Sequence, residues 1–298
     1  MNNINKDFLN VKKPLRAYFP FFIQKFLPKK IRKYIRRFLT EIDSVETFYD
    51  QDMLRFDDSI DGKFLGYAIN THDVDSYDGS EHIQKILKID EDFGIKSVWF
   101  INFQVLEKRQ LLAEKILNFG HTIGLHDIIH DFKTPYISDK EMLKRFDSAA
   151  VIIEKYKISA YRSAGLYRTE KMYKLLKNRF RVDSSLPSFS FNRRAGCGKI
   201  TPFYMNNLFE VPLNMPMDSD LIFADASEKD ILQIFKNISD FLYEKKALVI
   251  NTTHTEPHFF GNKRYHGIYA ELLEYQLKKN INFIDFENAL LLITSKKK

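Results

Sequence analysis

The chain has 298 residues, 44% of them hydrophobic and 29% charged, with a single cysteine. That length and apolar content exclude a disordered, collagen-like or disulfide-stapled chain and suit one large domain or two small ones. Cys197 has no intrachain partner, the run at 289–293 is far short of the roughly 20 apolar residues of a membrane span, and polar residues rather than an apolar h-region follow Met1, so a cytoplasmic protein is expected.

Charge divides the chain in two. Of the 46 Lys and Arg and 39 Asp and Glu, 11 bases and one acid, Asp7, fall within residues 1–40. The formal +7 therefore belongs to a leader, and the remainder is mildly acidic. Nucleic acid is not an expected partner, because the basic pI reflects one segment that has no nucleic-acid motif. Within the leader, Pro28 suits a first helical position, and Ile31, Tyr34, Ile35, Phe38 and Leu39 recur on one helical face. Lys29, Lys30, Arg32, Lys33, Arg36 and Arg37 occupy the other faces, with aromatic bulk just upstream at 18–23. The pattern predicts a basic amphipathic helix lying on an anionic membrane surface, each base contributing on the order of 1 kcal/mol. Docking of the apolar stripe on the body is the alternative. Residues 1–60 are thus read as leader and linker, and 61–298 as the body of the protein.

Strand and helix patterns alternate through the body. Residues 64–70 read as a strand, 81–93 as a helix, 96–102 as a strand, 107–118 as a helix and 122–125 as a short strand. An amphipathic helix over 139–156, a strand at 159–162, a helix at 170–177 and a short strand at 181–183 follow. Residues 184–207 lack periodicity, hold Gly196 and Gly198, and are expected to form a long loop beside the site. Then come an extended piece at 208–212, a helix over 227–245 opened by a Ser-Glu-Lys-Asp cap, and a buried strand at 247–251. A helix at 269–279, a strand at 283–285 and a helix at 287–293 complete the series. Such alternation implies an α/β fold with a parallel sheet, open or closed into a barrel, and chemistry on the loops after strand ends.

Polar clusters stand at those ends. Thr71-His72-Asp73-Val74-Asp75 follows the first strand, and alternation sends Asp73 and Asp75 to one side of an extended backbone. A buried carboxylate pair is costly without a cation or base nearby. His126 and His130 follow the third strand, four residues apart, a spacing that a helical turn would bring within reach of one ion. Either motif alone is weak. Two histidines and one carboxylate with an open position, however, form the arrangement that activates water. Arg162 ends the next strand, Asp183 ends a later one, and His254 follows the last buried strand.

In order and spacing these motifs resemble the polysaccharide deacetylase family over residues 64–293, about three-quarters of the chain. The resemblance implies a distorted (β/α)7 barrel, here with an N-terminal basic amphipathic helical extension. It implies Asp73 as general base and Asp75, His126 and His130 as ligands of a divalent ion, Zn2+ in first place. It implies that Arg162 orients Asp73, that Asp183 pairs with Arg162, that His254 is the general acid, and that backbone amides of 165–167 stabilise the oxyanion. Departures from the family pattern are the spaced Asp73-Val74-Asp75, Asp127 where Ser or Thr is usual, and Arg162-Ser-Ala-Gly-Leu-Tyr167 in place of Arg-Pro-Pro-Tyr. The sole tryptophan, Trp99, lies in the second strand rather than in a groove.

The expected activity is metal-dependent removal of an N-acetyl group from an amino sugar of a surface glycan or lipid-linked precursor, by a protein peripheral to the inner membrane face. The alternatives are a deformylase or other C–N amide hydrolase on a lipid-linked sugar and, outside enzymes, a non-catalytic membrane-docked binding protein. His72 and His121 are read as packing residues, and Glu256, His258 and His266 as exposed loop residues.

Overall fold

The computed structural model describes residues 6–14, 62–189 and 195–294. The expected amphipathic helix around Ile31 to Leu39 lies outside the described residues. Among the described residues nine strands form one sheet: β1 (Tyr67–Val74), β2 (Val98–Ile101), β3 (Thr122–His126), β4 (Ala160–Arg162), β5 (Val182–Asp183), β6 (Phe203–Met205), β7 (Leu208–Glu210), β8 (Val249–His254) and β9 (Asn282–Phe283). Their spatial order is β6-β7-β5-β4-β3-β2-β1-β8, with β9 also paired to β1. Every pairing is parallel except the β6–β7 hairpin.

The sheet curls into a barrel whose ladder stops short between β7 and β8. Pro212 and Pro216 fall in the segment after β7, and proline cannot donate to a ladder. Side chains bond there instead. Asn214 Oδ1 accepts from the Ile250 amide at 3.0 Å, and Asn214 Nδ2 donates to the Leu248 carbonyl at 2.6 Å. Asp218 Oδ2 accepts from the His254 amide at 3.0 Å. This substitution of side chains for a strand is the distortion in the barrel, and it brings Asp218 to the end of β8.

Alternation along β1 sorts two cores. Ile69 faces inward with Val98, Phe100, Val182, Phe209 and Ile250, and the helix Phe286–Thr294 closes this inner core with Phe286, Ala289 and Leu290. Ala68 faces outward with Trp99, Ile101 and Leu125, against helix residues such as Ile86, Ile116, Ile234 and Leu272. Each fully buried aliphatic side chain contributes roughly 1.5–3 kcal/mol. Phe8 and Leu9, from the short 3-10 turn Lys6–Leu9, join the outer core, so part of the leader is built into the barrel.

Several elements depart from their expected bounds. The first strand runs on through the polar motif to Val74, because Thr71, His72 and Asp73 find buried partners on β8 and β4. The helix expected over 139–156 divides at Ala149 into Asp139–Ser148 and Ala150–Lys155. That expected over 107–118 divides at Arg109, which leaves helical dihedrals at φ −117 and ψ 43. The long loop contains β6, joined to β7 through Asn206 and Asn207 at φ 51 and 68, the left-handed pair that favours tight hairpins. The cap at Ser227 is present as a reciprocal capping box with Asp230.

Candidate metal centre and active site

Register brings the polar motifs together. Asp73 lies opposite His254 on β8 and Phe100 on β2, while His126 lies opposite Arg162 on β4. Asp75 is the first residue beyond β1 and continues the inward face of Thr71 and Asp73. His130 arrives differently from the helical turn expected of its spacing. β3 ends at His126, Asp127 turns the chain at φ 58, and His130 sits in the irregular loop that follows. The turn is held by Asp127 Oδ1, which accepts from the Ile128 amide at 2.7 Å and the Thr134 hydroxyl at 2.8 Å. Non-glycine residues at such φ cost on the order of 1–3 kcal/mol and persist where the surroundings over-determine them.

Asp75 Oδ1 lies 3.0 Å from His126 Nε2 and 3.2 Å from His130 Nε2. Asp75, His126 and His130 form a cluster whose ligand atoms lie within 4.8 Å of one another. The donor chemistry fits a cation. His126 Nδ1 is 3.1 Å from the carbonyl oxygen of Arg162, which calls for a proton on Nδ1 and leaves the Nε2 lone pair facing inward. Asp75 Oδ1 is buried and accepts no hydrogen bond. Burial pushes the Asp75 carboxyl up, but His130 and His126 together outweigh it and hold it well below the usual range.

Asp73 stands beside this cluster. Its Oδ1 accepts from Arg162 Nη1 at 2.7 Å, and its Oδ2 lies 3.9 Å from both His126 Nε2 and His254 Nε2. Burial raises the Asp73 carboxyl, yet the Arg162 guanidinium, then His126 and His254, bring it below its ordinary value. Arg162 is wholly buried. Its Nε donates to the Ser184 carbonyl at 3.1 Å, Nη2 to the Ser184 hydroxyl at 3.0 Å and Nη1 also to Thr71 Oγ1 at 3.0 Å. Its plane lies over the Phe100 ring, 4.1 Å from the centroid.

The expected Arg162–Asp183 pair is not formed. Asp183 instead accepts from Tyr173 at 2.7 Å and from the amide and hydroxyl of Ser185 at 3.1 and 2.7 Å. The reason is register: Asp183 pairs across to Glu210, and both acids share the Tyr173 hydroxyl behind the site. Ser184, one residue on, takes the bonding role towards Arg162. Burial, then the Asp183 charge, pushes Glu210 well above the usual carboxylate range.

The turn at 164–166 also differs from expectation. The amides of Leu166 and Tyr167 donate within the turn, to the Ser163 and Ala164 carbonyls at 3.0 and 3.3 Å. In this conformation those two amides point into the turn rather than to a developing charge.

His254 is held by Asp218, a residue outside every motif of the sequence. Asp218 Oδ1 is 2.6 Å from His254 Nδ1, and Asp218 Oδ2 accepts from the amides of His254 and Phe260 at 3.0 and 3.1 Å. Burial lowers the imidazole, but Asp218 outweighs it and pushes the pKa up to about 10. Asp218 opens a short helix, Asp218–Phe223, after an aperiodic Met-Pro-Met stretch, and no spacing in the chain ties it to His254. Glu256 is likewise not the exposed loop residue expected. It is buried, and its Oε1 accepts from the amides of Asp75 and Ser76 at 2.9 and 3.1 Å. His258 is exposed and His266 partly so. His72 and His121 pack as expected, His72 with its ring centroid 4.2 Å from that of Trp99 and His121 accepting from the Ser97 amide at 3.0 Å. Cys197 forms no disulfide among the described residues, and burial pushes its thiol up to about 12.

No family model and no curated protein matches the chain. Solved structures do. A probable polysaccharide deacetylase from Pseudomonas aeruginosa PAO1 superposes with a TM-score of 0.62 at 12% identity, covering 78% of this chain and 91% of that one. A Puue allantoinase gives a TM-score of 0.61 at 12% identity with the same coverage, 78% and 91%. A peptidoglycan N-acetylglucosamine deacetylase gives 0.53 at 14% identity, covering 77% and 90%. The chain has the polysaccharide deacetylase fold. At these identities the likeness is one of architecture, and the chemistry must be argued from the residues.

Proposed function

We propose that the protein is a metal-dependent hydrolase that removes an N-acetyl group from an amino sugar of a surface glycan or lipid-linked precursor. The observation that carries this reading is Asp73, braced on one oxygen by Arg162 while the other lies 3.9 Å from both His126 and His254. A base, an acid and a cation cradle are thus brought together, as amide hydrolysis requires. The deacetylase neighbours add support through their fold.

Asp75, His126 and His130 would hold the ion, Zn2+ in first place, which would supply Lewis acidity towards the acyl carbonyl and activate water. Asp73 Oδ2 takes the proton of the attacking water, and Arg162 keeps that carboxylate ionised and aimed. His254 Nε2 delivers a proton to the departing nitrogen, so the amine leaves neutral and acetate is the coproduct. Asp218 fixes the imidazolium through Nδ1, leaving Nε2 to face the reaction. Glu256 ties down the backbone at Asp75 and Ser76, which sets where the first ligand stands.

A second reading keeps these residues and changes the acyl group, to a formamide or another C–N amide. That the same fold carries an allantoinase favours keeping it. A non-catalytic binding protein would have no need for Asp73 and His254 to converge on the cation cradle. Mass spectrometry of lipid-linked saccharides treated with the protein or with Asp73→Asn separates the readings. Loss of one acetyl equivalent only with the unaltered protein supports deacetylation, loss of a formyl equivalent supports the second reading, and unchanged saccharides count against both.

The basic leader is proposed to hold the protein at an anionic membrane surface on the cytoplasmic side. No helix among the described residues is long and apolar enough to cross a membrane, and the leader's eleven bases suit peripheral attachment. Because residues 6–14 pack on the barrel, the variant to test lacks 15–40. Unchanged binding to phosphatidylglycerol vesicles would overturn the membrane proposal.

A further inference from the structure

The two histidines of the candidate centre are held by different means. His126 is fixed by a hydrogen bond from its far ring nitrogen to the Arg162 carbonyl at 3.1 Å. Metal-ligating histidines are ordinarily oriented in this way. For His130, no group among the described residues hydrogen-bonds the far ring nitrogen. Its ring instead packs in a T-shaped pair with Phe132, with centroids 4.9 Å apart and planes at 70°.

Phe132 is itself in an unusual state. It is a bulky residue at φ 61, a conformation that persists only when neighbours impose it. Its neighbours are Tyr167, with ring centroids 5.8 Å away, and a small apolar cluster of Val11, Ala164 and Tyr167 with Tyr136 against it. Among the described residues of the cluster, Val11 comes from outside the barrel loops. It belongs to the strap of residues 6–14, which hydrogen bonds to the barrel hold in place. Arg168 Nε donates to the Phe8 carbonyl at 2.8 Å, and the Val11 amide donates to the Arg168 carbonyl at 3.2 Å. Tyr136 donates to the Val11 carbonyl at 2.7 Å, and the Glu170 amide donates to Asn10 Oδ1 at 3.2 Å. Arg168 is fully buried, has no carboxylate partner among the described residues, and its other donors go to the carbonyls of Leu166, Ser185 and Ala195. A buried cation placed on backbone oxygens from the strap and three barrel segments is a clamp on their relative position.

We infer that Val11 is a positioning residue for the metal centre: the strap presses Phe132 into its left-handed conformation, and Phe132 in turn sets the His130 ring against Asp75. The inference rests on the metal-site reading above. It makes the strap of residues 6–14 part of the site through Phe132.

The test is zinc affinity, measured by competition with a chromophoric chelator below the melting temperature of each apoprotein. Val11→Asp places a charge in the apolar cluster and should weaken zinc binding by about 10–100-fold, the range seen when a ligand's orienting partner is lost. Val11→Ile should retain the affinity of the unaltered protein. Ile234→Ala, in the outer core on the helix Glu228–Glu244, should lower the melting temperature without moving the affinity. Equal affinity in Val11→Asp and the unaltered protein would overturn the inference while leaving the metal site standing. An equal loss in Ile234→Ala would also overturn it, since general loosening would then suffice. If the unaltered protein takes up no zinc, the metal-site reading falls and the inference with it.

Discussion

Strand β1 carries two buried polar clusters back to back, and their difference separates structure from function. On the outer face, His72 Nε2 meets Asp90 Oδ2 at 2.8 Å and His72 Nδ1 meets Thr253 Oγ1 at 2.7 Å. Asp90 also receives the hydroxyls of Ser97 and Tyr269. Both ring nitrogens and both carboxylate oxygens there have partners. On the inner face, the Nε2 atoms of two imidazoles close on a carboxylate oxygen that has no assigned hydrogen-bond partner. Two imidazole nitrogens converging on one carboxylate oxygen suit a bound cation; a histidine whose two nitrogens already have separate partners does not.

The largest expected effect breaks the inner cluster chemically. Asp73→Asn should lower kcat by roughly 10²–10⁴-fold, as expected for loss of a general base. Zinc content should stay unchanged, by elemental analysis. Retained turnover would remove Asp73 from the base role.

The outer cluster should answer in stability instead. Asp90→Ala leaves His72, Ser97 and Tyr269 without their shared acceptor and should cost roughly 3–5 kcal/mol in urea denaturation. Zinc affinity in the folded variant should be that of the unaltered protein. A variant that lost metal but kept its stability would erase the distinction drawn above.

A subtler effect concerns pH. The His254 pKa is raised from 6.5 to about 10 by Asp218, so the pair's contribution to stability is fully present below 6.5 and is lost as pH rises through about 10. Asp73 is shifted the other way, below 3.8, so its contribution is present above 3.8 and is lost as pH falls through its lower folded value. Activity needs Asp73 ionised and His254 protonated, which predicts a broad plateau over neutral pH with an alkaline limb near 10. Asp218→Asn should move that limb to lower pH in a kcat/KM profile. An unmoved limb would take the acid role from His254.

The smallest effect tests neither face. Ser227→Ala removes the capping box of the helix Glu228–Glu244 and should cost about 1 kcal/mol by thermal denaturation, with zinc affinity and turnover unchanged.

Much of this was legible in the chain before folding. Asp73 and Asp75 share a face because a strand repeats every two residues, and that repeat also turns His72 the other way. His126 and His130 could be paired by spacing, though by the wrong geometry, since a strand end and a turn at Asp127 do the work assigned to a helix. Asp218, Glu256 and Val11 were not legible as site residues. Each acts across a long sequence separation, bonded or packed to groups that its own neighbours in the chain do not reveal.

The sequence by itself determined the alternation of strands and helices, the inward face of β1 and the residue types able to bind a cation, because these follow from local periodicity and side-chain chemistry. Only the tertiary structure decided which acid holds Arg162, which holds His254, and that the strap of residues 6–14 belongs to the barrel. Those outcomes depend on strand register and on packing between distant segments, where a shift of one residue exchanges Asp183 for Ser184 as the partner of a buried guanidinium.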